Sequence, residues 1–503
     1  MAPSERTAYS SFSRAWAVAA TPRTLAIFLS IWAAVILFGG LQSGDLSGYD
    51  DAVYAHEARE MLRSGDIWTL SLNGQPDFDK PPLFIWLVAL SFKIFGTNDP
   101  AAKIPGAVCG FGAILLVYLL AAELGREDGD ELSEWTPAVA MLSIATTQYF
   151  LKYSTHAMTD VPFAFLFLLA IYGYVRSWRS RRSGGWMLAA GVATGLAMLT
   201  RAPVGLFPIA IVALHLIYSK RARGPALAHF AVYFLISLSI PLVWYAIEFS
   251  IFGNAFIEQH LRNVVAHSAS KTERTALDSF FGLFEYPALL AKLYWPWIPL
   301  VCVGSVMAIR KAIDSRDAAA GLLLIWVLAV MVPLSFADAK VLRYIMAAFP
   351  AFAILAAWGV IKIMPARWLP ASSRALILIL AIVGMVSLVS PTFTLRAVDM
   401  KAIAPISDAA ARPDERVVLY TSGELQWNFA NQLLWYGNRY CTHIKDLADI
   451  RRMAADGGGF VLIIDKDSYA RLSSSVKEPM VILGESPKFY CVRIGWPSLV
   501  QHS

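Results

Sequence analysis

Charge is scarce in this sequence. Only 16% of its 503 residues are Asp, Glu, Lys or Arg, where a soluble protein carries about a quarter. Cysteine is scarcer, with four residues, which excludes a disulfide-dense secreted scaffold. No cysteine spacing is that of a zinc site. The same figures exclude disorder and coiled coil, both of which need abundant charge. What is abundant is apolar: 57% of the residues, with 28 Phe and 16 Trp, and a mean hydropathy of +0.52. That implies a polytopic membrane protein with one soluble part. The net charge of +6 does not point to nucleic acid; in a membrane protein the placement of the positive charges matters first.

Apolar runs long enough to cross a bilayer lie near 25–41, 104–124, 136–151, 161–175, 186–200, 203–219, 227–251, 292–309, 320–336, 344–361 and 375–391. Segment 82–96 is short and carries Lys93, so it reads as a helix lying on the membrane surface. Lys and Arg set the orientation. With the N-terminus cytoplasmic, Arg176, Arg179, Arg181, Arg182, Lys220, Arg221, Arg223, Arg310 and Lys311 fall inside. Positive charge is then about twice as dense inside as outside, as the positive-inside rule requires. The first run has no clear small-residue cleavage site and reads as an uncleaved anchor. The expected domains are a membrane domain over 1–392, including the outer-face helices of loop 42–103, and an extracytoplasmic α/β domain over 393–503. Within the latter, 415–423 and 460–465 read as strands and 446–459 as a helix stopped by glycine. The triple glycine 457–459 follows a helix instead of opening one, so it reads as a C-cap turn. Cys109 and Cys302 fall in apolar runs. Cys441 and Cys491 both lie in the external domain, either as a disulfide or as two buried thiols.

Polar chemistry concentrates in loop 42–103, too long and too patterned for a mere connection. Asp50 and Asp51 are adjacent, and Tyr54, Ala58, Met61 and Leu62 follow at helical spacing, so a surface helix starts here with Asp50 as its expected N-cap. Capping explains one carboxylate but not two. Further on, NGQPDFDKPPLFIW wedges Lys80 between Asp79 and a Pro-Pro pair, a stiff backbone that could hold an ammonium against a phosphate. The ordinary alternative is an Asp79–Lys80 surface pair. Asp160, His260, Lys340, Arg343 and Tyr344 fall at outward-facing span ends. Singly each has a bland reading as a cap, a solvated histidine or an interfacial residue. Together, carboxylates with Lys, Arg and Tyr suit an anionic lipid head group, because ionisable groups beside a bilayer are costly without a task.

The run YDDAVYAHEAREMLRSGD, the later DFDKPPLFIW and TDVP resemble the bacterial aminoarabinose transferase (ArnT) group of the protein-O-mannosyltransferase-like superfamily, over roughly residues 25–400. The resemblance implies the GT-C fold with eleven to thirteen spans. It implies transfer of a sugar, with inversion, from a polyprenyl-phosphate donor to lipid A or lipopolysaccharide outside the bacterial inner membrane. Residue by residue, Asp50 falls on the catalytic acidic position and Asp51 on its acidic neighbour. Tyr54 and Asp79 fall on donor-site positions and Lys80 on the phosphate-binding lysine; Asp160, His260 and Tyr344 match through weaker flanking sequence. Val53 stands where the aminoarabinose enzymes have arginine, and Asp77 where they have tyrosine, so a galacturonic-acid sugar competes with aminoarabinose.

The residue types suggest the same chemistry. Lys80, helped by Arg343 and Tyr344, would offset charge developing on the leaving phosphate. Asp50 would orient the acceptor or act as its base. A divalent metal at Asp50 and Asp51 is an open expectation, two carboxylates being few ligands. No nucleic-acid partner is expected, and a monomer is. The competing readings are transfer to a protein or cell-wall glycan, a lipid or solute transporter, and an envelope assembly protein. A transporter should show a repeat of hydropathy and mid-membrane charge; no repeat is seen, and the ionisable residues gather at one end.

Overall fold

The computed structural model describes residues 21–42, 44–125, 134–178, 180–220, 225–268, 282, 284–337, 340–389, 397–412, 415–422, 426–456 and 459–495. Arg179, Arg221, Arg223, Gly457, Gly458 and the expected domain boundary at 392–393 lie outside the described residues. The chain divides into two units: residues 1–42, 78–84 and 103–392 in the first, and 43–77, 85–102 and 393–503 in the second.

The first unit is helical. Among the described residues, eight helices of the chain are long and apolar enough to cross a membrane: Pro22–Gln42, Asp99–Leu124, Asp160–Ser177, Ser183–Thr200, Ala226–Phe252, Ala318–Phe336, Leu342–Ile363 and Leu369–Val386. They coincide with eight of the eleven apolar runs. The other three runs are broken. Run 136–151 divides into Thr136–Ala145 and Gln148–Ser154 at two threonines, and Thr146 turns its hydroxyl back to the Leu142 carbonyl at 2.8 Å. Run 203–219 opens with a short turn at Val204–Leu206 before helix Phe207–Tyr218. Run 292–309 divides around Pro296 into Glu285–Leu293 and Ile298–Asp314, since proline removes a backbone donor.

The centre of this unit is the segment Leu342–Ile363, in whose most apolar 18-residue stretch 89% of the residues are buried, against 17% for Ala226–Phe252, which turns Leu235 and Leu242 outward. Side chains of that kind suit lipid, not water. Close approach at the centre depends on glycine. A Cβ on Gly304 would fall 1.8 Å from the Leu355 carbonyl oxygen, and one on Gly359 would fall 2.1 Å from that of Leu300, as expected where helices associate by close van der Waals packing.

Among the described residues the second unit holds two sheets. Strands β1 (Ser71–Leu72) and β2 (Gln75–Pro76) form a hairpin. Strands β3 (Val417–Tyr420), β4 (Cys441–His443), β5 (Phe460–Asp465), β6 (Met480–Glu485) and β7 (Phe489–Ile494) form a sheet of order β4-β3-β5-β7-β6. β3 is parallel to β4 and β5, and β7 is antiparallel to β5 and β6. Successive residues of β5 face opposite sides: Val461 and Ile463 pack with helices Val398–Ala410 and Gln426–Tyr436, and Leu462 and Ile464 with helices Leu447–Ala455 and Lys466–Ser473. The expected α/β character is present.

Residues 43–77 and 85–102 of the loop group with the sheet, and helix Asp50–Ser64 packs on helix Gln426–Tyr436. One expectation changes here. The disulfide between Cys441 and Cys491 is not formed, and both are free, buried thiols. Cys441 is on β4 and Cys491 on β7, with β3 and β5 between them. Three inter-strand spacings are roughly 14 Å, about twice what a disulfide can bridge.

Candidate functional site

Helix Asp50–Ser64 carries the acidic pair, and the structure separates its two members. Its N-cap is Tyr49, which makes no side-chain cap bond; Asp50 is the first helical residue. This corrects the expected N-cap. Asp50 is half-buried, in the first turn, where the helix dipole favours a carboxylate. Asp51 is fully buried and its Oδ2 accepts from the Ser47 hydroxyl at 2.7 Å and the Ser47 amide at 3.3 Å. It secures the turn that leads into the helix. Tyr54 is buried one turn on. The pair does not fit the metal expectation: Oδ2 of Asp51 is taken by Ser47, and among the described residues no three His, Cys, Asp or Glu side chains converge to hold an ion.

The remaining candidates lie in the first unit. Lys80 donates to Asp79 Oδ2 at 2.7 Å, with the two side chains 16% and 30% exposed. The pair anticipated as the ordinary reading therefore forms, but as a half-buried one. His260 explains why this segment holds its shape. Its Nδ1 lies 2.7 Å from the Phe78 carbonyl oxygen, which can only accept, so Nδ1 carries a proton; Nε2 lies 3.0 Å from the Tyr245 hydroxyl. Phe78 itself packs edge-on against Phe252 and Phe256 at 5.0 and 5.2 Å. His260 thus anchors the residue two before Lys80.

Asp160 opens helix Asp160–Ser177 and is 2% exposed. Its Oδ1 accepts from Arg201, and its Oδ2 lies 4.0 Å from Arg343 Nε. Both guanidiniums lie over the Tyr344 ring, at 4.6 Å for Arg201 and 5.8 Å for Arg343, a cation–π arrangement. Both guanidiniums thus meet at one buried carboxylate, and each Arg side chain is still 16–19% exposed. Lys340 stands apart, its ammonium donating to the Ala337 carbonyl at 2.7 Å, where helix Ala318–Phe336 ends.

Arg201, Tyr245 and Ser47 were not singled out from the sequence. Arg201 left a signal: a lone arginine directly after the apolar helix Ser183–Thr200 is costly unless it has a partner. Ser47 and Tyr245 left none, since a serine or tyrosine has many roles.

The pattern of the dolichyl-phosphate-mannose-protein mannosyltransferase family matches residues 79–245. A Pseudomonas fluorescens protein named undecaprenyl phosphate-alpha-4-amino-4-deoxy-L-arabinose arabinosyl transferase 2 is 28% identical over 313 residues, 61% of this chain and 51% of that protein. An uncharacterised Aquifex aeolicus protein is 26% identical over 61% of this chain and 58% of its own. The chain spans about half the length of the curated relatives it matches. Among solved structures, ArnT from Cupriavidus metallidurans in the apo state matches with a TM-score of 0.74 at 17% identity, covering 93% of this chain and 97% of that one. The same protein bound to undecaprenyl phosphate matches with 0.69 at 19%, covering 95% and 99%. The oligosaccharyltransferase of Archaeoglobus fulgidus matches with 0.57 at 15%, covering 89% and 70%. These likenesses establish the fold.

Proposed function

We propose that this chain, whose fold is that of ArnT, is an inverting glycosyltransferase using a polyprenyl-phosphate-linked sugar. The proposed acceptor is lipid A or another part of lipopolysaccharide, on the periplasmic face of the inner membrane, with the N-terminus cytoplasmic. The sugar is of the aminoarabinose or galacturonic-acid type. The observation that carries the reading is the cluster in which Arg201 and Arg343 share the buried carboxylate of Asp160. Paired guanidiniums at the ends of apolar helices are a place for a lipid-borne phosphate.

In the reaction, an acceptor oxygen attacks the anomeric carbon as the bond to the phosphate oxygen breaks, and polyprenyl phosphate leaves with the electron pair. Lys80, Arg201 and Arg343 offset the charge that develops on it. Asp50 takes the proton of a hydroxyl acceptor; an acceptor phosphate oxygen, already ionised, needs only positioning. Asp51, bonded to Ser47, holds the start of the Asp50 helix.

The purified protein, given a radiolabelled polyprenyl-phosphate sugar and extracted lipopolysaccharide, is expected to transfer label. Asp50→Asn and Lys80→Ala should lower the rate about a hundredfold or more with unchanged melting temperature. Normal transfer by both variants would sink the assignment. Mass spectra of lipid A and core from cells lacking the protein identify the sugar as the mass that disappears.

A further inference from the structure

The second unit contains a cavity of about 530 Å³ that none of the chemistry above uses. One wall is the last two and a half turns of helix Asp50–Ser64; the other is formed by residues 415–416 and 438–440. Four lining side chains are guanidiniums, Arg59, Arg63, Arg416 and Arg439, against the two carboxylates Glu60 and Glu415. Both carboxylates are already matched. Glu60 accepts from Arg63 at 3.3 Å and from the Tyr440 hydroxyl at 2.8 Å, and Glu415 pairs with Arg493 at 3.1 Å.

The other three guanidiniums are bonded to uncharged acceptors. Arg59 donates to the Leu434 and Trp435 carbonyls and lies 3.1 Å from His56 Nδ1, Arg416 donates to the Asn73 carbonyl, and Arg439 to those of Asp408 and Arg412. A carbonyl satisfies an N–H but does not neutralise it, so the cavity keeps a positive surplus. Asp408, whose carboxylate accepts from the Asn438 amide at 2.8 Å, also acts on Arg59; it reduces the surplus of four guanidiniums over Glu60 and Glu415 without cancelling it. His56 also lines the cavity, and its Nε2 is buried with no hydrogen-bond partner among the described residues.

We propose that this cavity binds a phosphate monoester of a hydroxylated compound, a sugar phosphate being the simplest. Guanidinium forks recognise phosphate oxygens in pairs. The volume is that of a small-molecule site and exceeds what inorganic phosphate fills. The uncharged wall residues Asn438, Tyr440 and Ser64 offer donors and acceptors to ligand hydroxyls, and a hydroxyl can serve His56 Nε2 in either tautomer. The inference stands apart from the transferase reading, since Asp50 lies about 9 Å along the helix axis from His56.

Calorimetric titration of the full-length protein in detergent tests it, with glucose 1-phosphate, glucose and mixed micelles containing phosphatidic acid as probes. Glucose 1-phosphate is expected to bind and glucose not. Arg416→Gln and Arg63→Gln, both exposed at the rim, should each weaken binding about tenfold, the worth of one charge-assisted bond, at unchanged melting temperature. Binding of phosphatidic acid alone, weakened by the same substitutions, keeps the site and assigns it a lipid-borne phosphate. Binding abolished by Lys80→Ala but indifferent to Arg416→Gln would put the anion elsewhere and overturn the proposal, as would no binding in either arm.

Discussion

Asp160 offsets two cations at once, so its removal has consequences beyond a lost bond. Asp160→Ala leaves Arg201 and Arg343 without their shared carboxylate at a site 2% exposed. Breaking a buried ion pair from one side costs about 3–5 kcal/mol, and the melting temperature of the detergent-solubilised protein should fall accordingly. His260 acts through another group, by fixing the Phe78 carbonyl and so the approach to Lys80. His260→Ala is expected to raise KM for the polyprenyl donor about tenfold with a smaller change in kcat, and His260→Gln, which can still donate, to recover part of the loss. A change confined to kcat would count against that positioning role. His56 has a different signature. Burial, with the Arg59 charge second, pulls its pKa from 6.5 down to about 4. The folded-state pKa is depressed, so the unfolded chain takes up the proton first as pH falls. Stability is therefore fully present above about pH 6.5 and is lost progressively toward pH 4, by about 3 kcal/mol in all. Melting temperatures at pH 7.5 and 5 should differ more for the native protein than for His56→Gln.

At the level of single elements, the sheet decides the fate of the two external cysteines. Cys441 and Cys491 looked pairable because both lie in one small domain; strand order, set by pairings between distant segments, puts two strands between them. Burial pushes both thiols up to about 12, far from the reactive thiolate range. Iodoacetamide should label neither quickly in the folded protein and both after denaturation, while a reductant leaves the melting temperature unchanged; a shift on reduction would restore the disulfide. The apolar helices were legible because a run of about 20 apolar residues is a local property. Where the runs break, at Thr146 and Pro296, the interruption also stands in the sequence, but against so apolar a background it is easily read through. Strands β6 and β7 were not foreseen: β6 is largely exposed along its length, and its pairing with β7 rather than any local alternation makes it a strand.

For the molecule as a whole, the membership of loop 43–77 carries a prediction. Helix Asp50–Ser64 belongs with the sheet, where Arg59 donates to the Trp435 carbonyl at 2.7 Å and Tyr440 to Glu60 at 2.8 Å. Asp99 joins in, accepting from Trp435 Nε1 at 2.7 Å and the Tyr436 hydroxyl at 3.1 Å. Residues 393–503 expressed alone should therefore aggregate or melt without cooperativity, because helix Gln426–Tyr436 would expose the face that Asp50–Ser64 covers; a cooperative thermal transition of that fragment would refute this. Composition and the length of apolar runs were enough to specify a multi-span membrane protein, and charge density along the chain suggested its orientation, since both depend on neighbours in sequence. Partner choice depends on contacts between residues far apart in the chain. Only the tertiary structure decided that Asp160 serves Arg201 forty-one residues away, that Asp51 belongs to Ser47 while Asp50 does not cap its own helix, and that His260 supports the lysine loop across 182 residues.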